Sequence, residues 1–274
     1  RCNRPRPGVG SPSPDGPPSR RPARTPPSDR RACAVCFGSP FPTEFLMSTP
    51  TLADLARMFD HSLLQPVLTD AELEAGCLLA RQYGAASVCI KPYAVKLAAK
   101  LLAGSTVQAS TVIGFPHGGH VTKAKVYESE IAMDDGATEL DMVVNVGKVL
   151  SGEWNYVAHD IAAVVEAAHA RDVKVKVIFE NAYLKDAHKI ELCKICAEVR
   201  ADWVKTSTGY AETGATIEDL KLMRQHSPAH VQVKAAGGVR TYEKLLEVRA
   251  IGVTRVGATA TKAILEDAKA KMGA

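Results

Sequence analysis

A chain of 274 residues, 46% of them apolar, with 20 Gly and few aromatics, has enough apolar surface for a sizeable core. An α/β barrel of about 250 residues commonly forms one domain. No apolar run approaches the roughly 20 residues that a helix needs to cross a bilayer, so a soluble protein is expected. The formal charge of +4 is uneven: residues 1–46 carry eight Arg against Asp15, Asp29 and Glu44, a net of +5, which leaves −1 for residues 47–274. A near-neutral body gives no reason to expect nucleic acid or membrane partners.

The first stretch, RCNRPRPGVGSPSPDGPPSRRPARTPPSDRR, is rich in Pro and Arg and has almost no apolar content. It buries too little surface to offset the entropy of ordering, so disorder is expected. An Arg- and Ser-rich, acid-poor start resembles an organelle transit peptide, but this much Pro prevents the amphipathic helix such peptides use. Met47 opens a conventional start, MSTPTLADLARMFDHSLL, so residues 1–46 read as an upstream extension and 47–274 as a single domain.

From Leu52 onward, short β-rich runs alternate with helical stretches. The strand candidates are RMFDHSLL, ASVCIKP, VQASTVIGF, TELDMVVNV, VKVKVIFEN, DWVKTST, VQVKAAGG and TRVGAT. Between them lie segments with apolar spacing of three and four, such as DAELEAGCLLARQYG and YVAHDIAAVVEAAHARD. Eight alternations in about 220 residues imply a parallel sheet, most simply closed as a TIM (β/α)8 barrel. Gly84, Gly136 and Gly252 each stand where a helix must stop before a strand, a position that favours the left-handed conformation. An open doubly wound sheet is the alternative, but no Gly-rich phosphate fingerprint follows the first strand.

Alternate residues of a barrel strand face the helices and the interior. In TELDMVVN, Leu140, Met142 and Val144 form one apolar face, which leaves Glu139 and Asp141 on the other. Lys205 lies opposite Val204, Lys234 lies opposite Val231 and Val233, and Asp60 lies opposite Phe59, His61 and Leu63. Four strands therefore aim ionisable groups inward, where a charge is expensive unless paired or useful. An internal salt-bridge network is one reading. Two Lys and two Asp near the C-terminal ends of strands, where barrel active sites lie, favour catalysis. An ordinary lysine is protonated at neutral pH, but desolvation and a neighbouring ammonium depress its pKa and make it a carbonyl nucleophile. Asp141 would then carry protons, and Asp60 would hold the second lysine charged.

Gly209 after the sixth strand, Gly237 and Gly238 after the seventh, and Gly257, Ala258 and Thr259 closing the eighth suggest a phosphate end. Small residues let backbone N–H groups approach an anion there. They equally make tight turns. Thr206, beside Lys205, and Cys89 on the second strand join the substrate-binding candidates, although Cys89 also reads as a packed strand thiol. Glu180 is either a catalytic acid or a partner for an interior Lys174 or Lys176. His117 and His120 of FPHGGH shape a loop, with no carboxylate at ligand spacing to suggest a metal. Trp203 reads as a core residue.

Seven cysteines form an odd set without disulfide-like spacing, which suits a reducing cytoplasm. Two Cys-x-x-Cys pairs, Cys33/Cys36 and Cys193/Cys196, evoke zinc. The first pair lies in the tail. The second lies inside a helical pattern, KIELCKICAEVR, where buried thiols are the better reading.

The segments DWVKTSTGY, VKVIFENAYL, ELDMVVNVGKVLSGEW, VIGFPHGG, VKAAGGVRT and RVGAT, spread across roughly residues 52–270, closely resemble those of deoxyribose-phosphate aldolases. The resemblance implies a barrel and a class I, metal-free aldolase without a cofactor. Such enzymes interconvert 2-deoxy-D-ribose 5-phosphate with acetaldehyde and glyceraldehyde 3-phosphate in deoxynucleoside catabolism. By resemblance, Lys205 is the Schiff-base lysine and Lys234 lowers its pKa. Asp141 shuttles protons, Asp60 supports the lysine pair, and the Gly-rich strand ends cradle phosphate. Family barrels often form dimers, which allows a homodimer here. Two departures stand out. Some members follow Gly-Ala with two hydroxyl residues where this chain has Thr259 then Ala260, and some end in Tyr where this chain ends AKMGA. Two rival readings are another Schiff-base aldolase or transaldolase acting on a ketose phosphate, and a barrel that binds sugar phosphate without turning it over.

Overall fold

The computed structural model describes residues 49–273. The expected disorder of residues 1–46, the start at Met47 and the Cys33/Cys36 pair lie outside the described residues.

Each of the eight runs read as strands forms one. The strands are β1 (Phe59–Leu63), β2 (Ser87–Ile90), β3 (Gln108–Ile113), β4 (Glu139–Val143), β5 (Lys174–Ile178), β6 (Trp203–Lys205), β7 (Gln232–Ala236) and β8 (Arg255–Ala258). They close into a barrel in sequence order, all parallel, and the pairing of Phe59 with Val256 and Asp60 with Gly257 joins β8 to β1. The helices between and around them are α1 (Leu52–Ala56), α2 (Asp70–Tyr83), α3 (Val95–Leu102), α4 (Thr122–Asp134), α5 (Val146–Leu150), α6 (Trp154–His169), α7 (Asp186–Glu198), α8 (Ile217–His226), α9 (Tyr242–Ala250) and α10 (Thr261–Met272).

Local signals set these boundaries. At the start of α2 the Thr69 side chain accepts from the Glu72 N–H while the Glu72 carboxylate accepts from the Thr69 N–H, so two otherwise unpaired donors are satisfied. Gly84 ends the helix at φ 65°, a conformation that a residue with a Cβ adopts only under strain. Gly136 and Gly252 also have positive φ, as their places before β4 and β8 suggest.

The barrel wall has an apolar outside and an ionic inside. Val88, Ile90, Leu140, Met142, Val175, Val177, Val204, Val233 and Val256 are buried against the helices. Each buried Val, Leu or Ile side chain stabilises the fold by about 1.5–3 kcal/mol relative to exposure. The alternating positions place Asp60, Glu139, Asp141, Lys176, Lys205 and Lys234 inside, all buried. Trp203 lies beneath them. The Arg255 guanidinium is 5.0 Å and Lys176 Nζ is 5.6 Å from its ring centroid, and its indole N–H donates to Thr254 Oγ1 at 3.0 Å.

One expectation needs correction. Alternation groups Lys174 with Lys176 as interior, but Lys174 is exposed and pairs with Asp202 at 3.0 Å. It is the first residue of β5, at the open lower rim, where its ammonium stays hydrated. Cys193 and Cys196 sit in α7 among buried apolar residues, and burial pushes the Cys193 thiol up to about 11 and holds Cys196 well above the usual thiol range. Among the described residues no helix is long and apolar enough to cross a membrane.

Candidate active site

The upper ends of the strands surround a cavity of about 240 Å³. Asp60, Cys89, Lys205, Lys234, Gly209, Gly237, Gly238, Gly257, Ala258 and Thr259, all expected from the sequence, line it. Asp141 is close but sealed off. It is fully buried and does not line the cavity, which it meets through the two lysines and Cys89.

Strand register explains the convergence. Lys205 pairs with Lys234 across β6 and β7, so two adjacent strands deliver amines at the same height. Both reach one carboxylate oxygen: Lys205 Nζ and Lys234 Nζ each lie 2.7 Å from Asp141 Oδ2. Lys234 is also 2.5 Å from Asp60 Oδ2. Lys205 has one carboxylate partner and Lys234 has two.

That asymmetry separates their chemistry. Burial lowers the Lys205 pKa and Lys234 adds to the effect, while Asp141 opposes both without overcoming them. Lys234 is equally buried, but Asp141 and Asp60 outweigh the burial and raise its pKa. Burial pushes Asp141 up, and Lys176, Lys205 and Lys234 together hold it far below the usual carboxylate range. Asp60 is likewise held down against burial by Lys176, Lys234 and Arg255. One amine is thus disposed to be neutral, beside a charged amine and an ionised carboxylate. This is the arrangement a carbonyl-attacking lysine requires.

Sequence reasoning misses part of this network. Lys176 lies 2.6 Å from Glu139, 2.8 Å from Asp141 Oδ1 and 3.5 Å from Asp60. Arg255 reaches Asp60 Oδ1 at 2.5 Å and Glu139 Oε1 at 2.8 Å. Alternation puts Glu139 on the inner face, but Arg255 stands at the start of a four-residue strand, too short to show a pattern. Glu180 pairs with neither Lys174 nor Lys176. It accepts the Thr208 hydroxyl, and its backbone takes φ 59°, uncommon for a residue with a side chain.

Thr206 is not a lining residue. Its hydroxyl is occupied by the Ala236 backbone, donating to the carbonyl at 3.2 Å and accepting from the N–H at 3.1 Å. Two residues on, Thr208 lines the cavity instead. Ser62, Gln65, Tyr210 and Arg240 also line it, and the sequence gives no sign of them. Tyr210 joins three loops, packing edge-on to Phe115 at 5.4 Å and donating to the Leu64 carbonyl at 2.9 Å. Phe115 precedes His117 and His120, both exposed in their loop. Burial pushes the Cys89 thiol up, and its sulfur is 4.0 Å from Asp141. Among the described residues no group of three or more His, Cys, Asp or Glu is arranged to hold a metal ion.

The opposite end of the cavity suits an anion. Gly237 and Gly238, at φ 75° and 91°, turn the backbone after β7 without side chains in the way. Arg240, Thr259 and Ala260, the last at the N-terminus of α10, complete that end.

A closed (β/α)8 barrel whose upper cavity holds two buried lysines on one aspartate oxygen has the architecture of a barrel enzyme, with an arrangement suited to carbonyl chemistry. The comparisons give the family. Residues 55–266 match the model of the DeoC/LacD family aldolases. A deoxyribose-phosphate aldolase of Rhodopirellula baltica is 58% identical over 220 residues, covering 80% of this chain and 91% of its own. One from Thermococcus gammatolerans is 44% identical over 218 residues, 79% of this chain and 97% of its own. A putative deoxyribose-phosphate aldolase structure from Coccidioides immitis superposes with a TM-score of 0.77 at 36% identity, covering 81% of this chain and 88% of that one. The chain belongs to the DeoC/LacD aldolase family. It is an aldolase, and so a lyase.

Proposed function

We propose that this aldolase reversibly cleaves 2-deoxy-D-ribose 5-phosphate to acetaldehyde and D-glyceraldehyde 3-phosphate through an imine on Lys205. The observation that carries the reading is the shared Asp141 oxygen, between a Lys205 disposed to be neutral and a Lys234 held charged. Relatives of that name, matched over most of their length, supply the substrate.

The steps follow from the geometry. Neutral Lys205 attacks the open-chain aldehyde carbon C1, and Asp141 accepts the proton that the new ammonium releases. Return of that proton to the C1 oxygen gives the neutral carbinolamine, and a second proton, taken up from solvent by way of the Lys234 ammonium, expels the oxygen as water and leaves an iminium. Loss of the C3 hydroxyl proton then breaks the C2–C3 bond, whose electrons flow to the iminium nitrogen. Glyceraldehyde 3-phosphate departs, and the remaining enamine is protonated at C2 and hydrolysed to acetaldehyde and free Lys205. The iminium performs the electron withdrawal that a Lewis acid would otherwise supply, so the reaction as proposed calls for no metal or cofactor. Gly237, Gly238, Arg240 and Thr259 would hold the phosphate.

Borohydride trapping tests the assignment: incubation with deoxyribose 5-phosphate, reduction, digestion and mass spectrometry. A two-carbon or full sugar adduct on Lys205 is the expected result. Folded protein without any lysine adduct would overturn the reading, and turnover of dihydroxyacetone-type donors in preference to acetaldehyde would move it to a ketose-phosphate aldolase. A cytoplasmic place and a homodimer belong to the same proposal. The odd set of seven cysteines without disulfide-like spacing suits the first, and light scattering after size exclusion tests the second.

A further inference from the structure

The barrel floor holds a charged pair that no substrate bound in the cavity can touch. Arg255 and Glu139 do not line the cavity. Arg255 lies over the Trp203 ring, and the two bond each other in a fork, with Arg255 Nη2 2.8 Å from Glu139 Oε1 and Nη1 3.1 Å from Oε2. Each also grips one member of the reacting network: Arg255 takes Asp60 Oδ1, and Glu139 takes Lys176 Nζ.

The whole barrel interior can be inventoried strand by strand. Asp60 comes from β1, Cys89 from β2, Glu139 and Asp141 from β4, Lys176 from β5, Lys205 from β6, Lys234 from β7 and Arg255 from β8. β3 (QASTVI) contributes no ionisable side chain. Four cations (Lys176, Lys205, Lys234, Arg255) therefore face three carboxylates (Asp60, Glu139, Asp141) in a largely buried cluster. The cluster becomes neutral when it loses one proton. Lys176 has three carboxylates within 3.5 Å, Lys234 has two and Lys205 has one, so Lys205 is the group that gives the proton up.

We propose that Arg255 and Glu139 are positioning residues that act through Asp60 and Lys176 to set the charge balance of the barrel interior, and with it the pH at which Lys205 becomes a nucleophile. The inference rests on the reading of Lys205 as the imine-forming lysine. Low interior polarity makes these charges felt across the cluster. Removing the Arg255 charge leaves three cations against three carboxylates, and Lys205 then keeps its proton to higher pH. Removing the Glu139 charge leaves four cations against two carboxylates, and Lys205 sheds its proton at lower pH.

The test is the pH dependence of borohydride-trapped adduct formation at Lys205 with deoxyribose 5-phosphate, in wild type, Arg255→Gln, Glu139→Gln and the double variant. The acid limb should rise by about one pH unit in Arg255→Gln and fall by about one unit in Glu139→Gln. It should return near the wild-type position in the double variant, and Arg255→Lys should leave it in place. A merely structural pair would lower amplitude and melting temperature in both single variants without opposite shifts. Limbs that stay put or move the same way overturn the proposal. Should Arg255→Gln not fold, Glu139→Gln decides alone, and a limb that stays or rises overturns it. Absence of any Lys205 adduct in wild type would instead sink the Schiff-base reading itself.

Discussion

Lys205 and Lys234 meet at a single oxygen, each amine 2.7 Å from Asp141 Oδ2. Two ammonium groups held so close together on one buried oxygen favour a state in which one of them has lost its proton, although the carboxylate itself favours both charges. Which one is decided by the second carboxylate: Asp60 bonds Lys234 but not Lys205, since β7 and β8 stand between β1 and β6. Under the proposed mechanism the nucleophile is thus chosen by what its neighbour has and it lacks.

Lys234→Leu removes the ammonium that disfavours a second positive charge beside Asp141. Burial alone still depresses Lys205, but Asp141 and Asp60 are then left with one cation fewer to satisfy. Turnover of deoxyribose 5-phosphate should drop by about 10²–10⁴-fold. The acid limb of kcat/KM should move to higher pH, because Lys205 holds its proton longer. Normal activity at neutral pH would show that Lys234 does not tune its neighbour.

Lys205→Met and Lys176→Met should have opposite effects on stability. Without Lys205 the cluster retains Lys176, Lys234 and Arg255 against Asp60, Glu139 and Asp141, and no carboxylate is orphaned. That variant should be inactive yet unfold in urea no earlier than wild type. Lys176→Met takes the ammonium from Asp141 Oδ1 and Glu139 Oε2, though Arg255 and the other two lysines remain beside these carboxylates, and should destabilise by about 1–3 kcal/mol. Equal losses in the two variants would contradict the ion-by-ion account.

How much of this is legible in the sequence depends on pattern length. Strands β4 and β7 show alternation over five residues, and that period alone puts Asp141 and Lys234 on the inner face. β8 has four residues, and its Arg255 gives no such signal. Lys174 and Lys176 share a face by alternation, yet only the second is deep enough to be buried, because period says nothing about height along the barrel. Thr206 and Thr208 are alike in sequence; which hydroxyl faces the cavity depends on where β6 ends and the chain turns. Tyr210, with partners 95 and 146 positions away in the chain (210 − 115 and 210 − 64), depends on loop packing that no local pattern encodes.

Acid should unfold the protein only well below the pH where free carboxyls titrate. The folded pKa values of Asp60 and Asp141 are held below the ordinary range, chiefly by lysines that outweigh burial. A depressed carboxylate contributes stability that is present above its unfolded pKa of about 3.9 and is lost as pH falls through the folded value. Urea midpoints should therefore be flat near neutrality, as far as these two groups are concerned, and should fall below about pH 4. Asp141→Asn should flatten that acid dependence while lowering stability overall; an unchanged slope would mean these groups are not its source.

Gly214→Ala should weaken phosphate binding more than chemistry. A Cβ on Gly214 would stand 2.6 Å from the Gly237 carbonyl carbon and 2.8 Å from its Cα, and neither backbone atom can swing aside as a side chain can. The loop after β7 must shift, taking the Gly237 and Gly238 amides with it. KM for deoxyribose 5-phosphate should rise about tenfold or more, the equivalent of some 1.4 kcal/mol. Cleavage of unphosphorylated deoxyribose should change less. A loss shared equally by both sugars would place the effect at the lysines rather than at the phosphate end.

Ala260→Ser should gain twice from one hydroxyl. Ala260 is the N-cap of α10, and no side chain there accepts from the first turn. A Ser oxygen at an N-cap accepts from the N–H of the second or third helical residue, here Lys262 or Ala263, and such a cap is worth about 1 kcal/mol over Ala. Ala260 also lines the cavity beside Thr259, at the end suited to phosphate. A hydroxyl that accepts from the helix keeps its own proton free to donate to a phosphate oxygen. Melting temperature should therefore rise by a few degrees, and KM for deoxyribose 5-phosphate should fall, while the value for deoxyribose stays where it was. A rise in melting temperature alone would mean that the cap forms but the phosphate lies out of its reach. A fall in KM for both sugars would mean that the hydroxyl acts on the sugar chain, so that the anion site would have to be sought nearer Arg240.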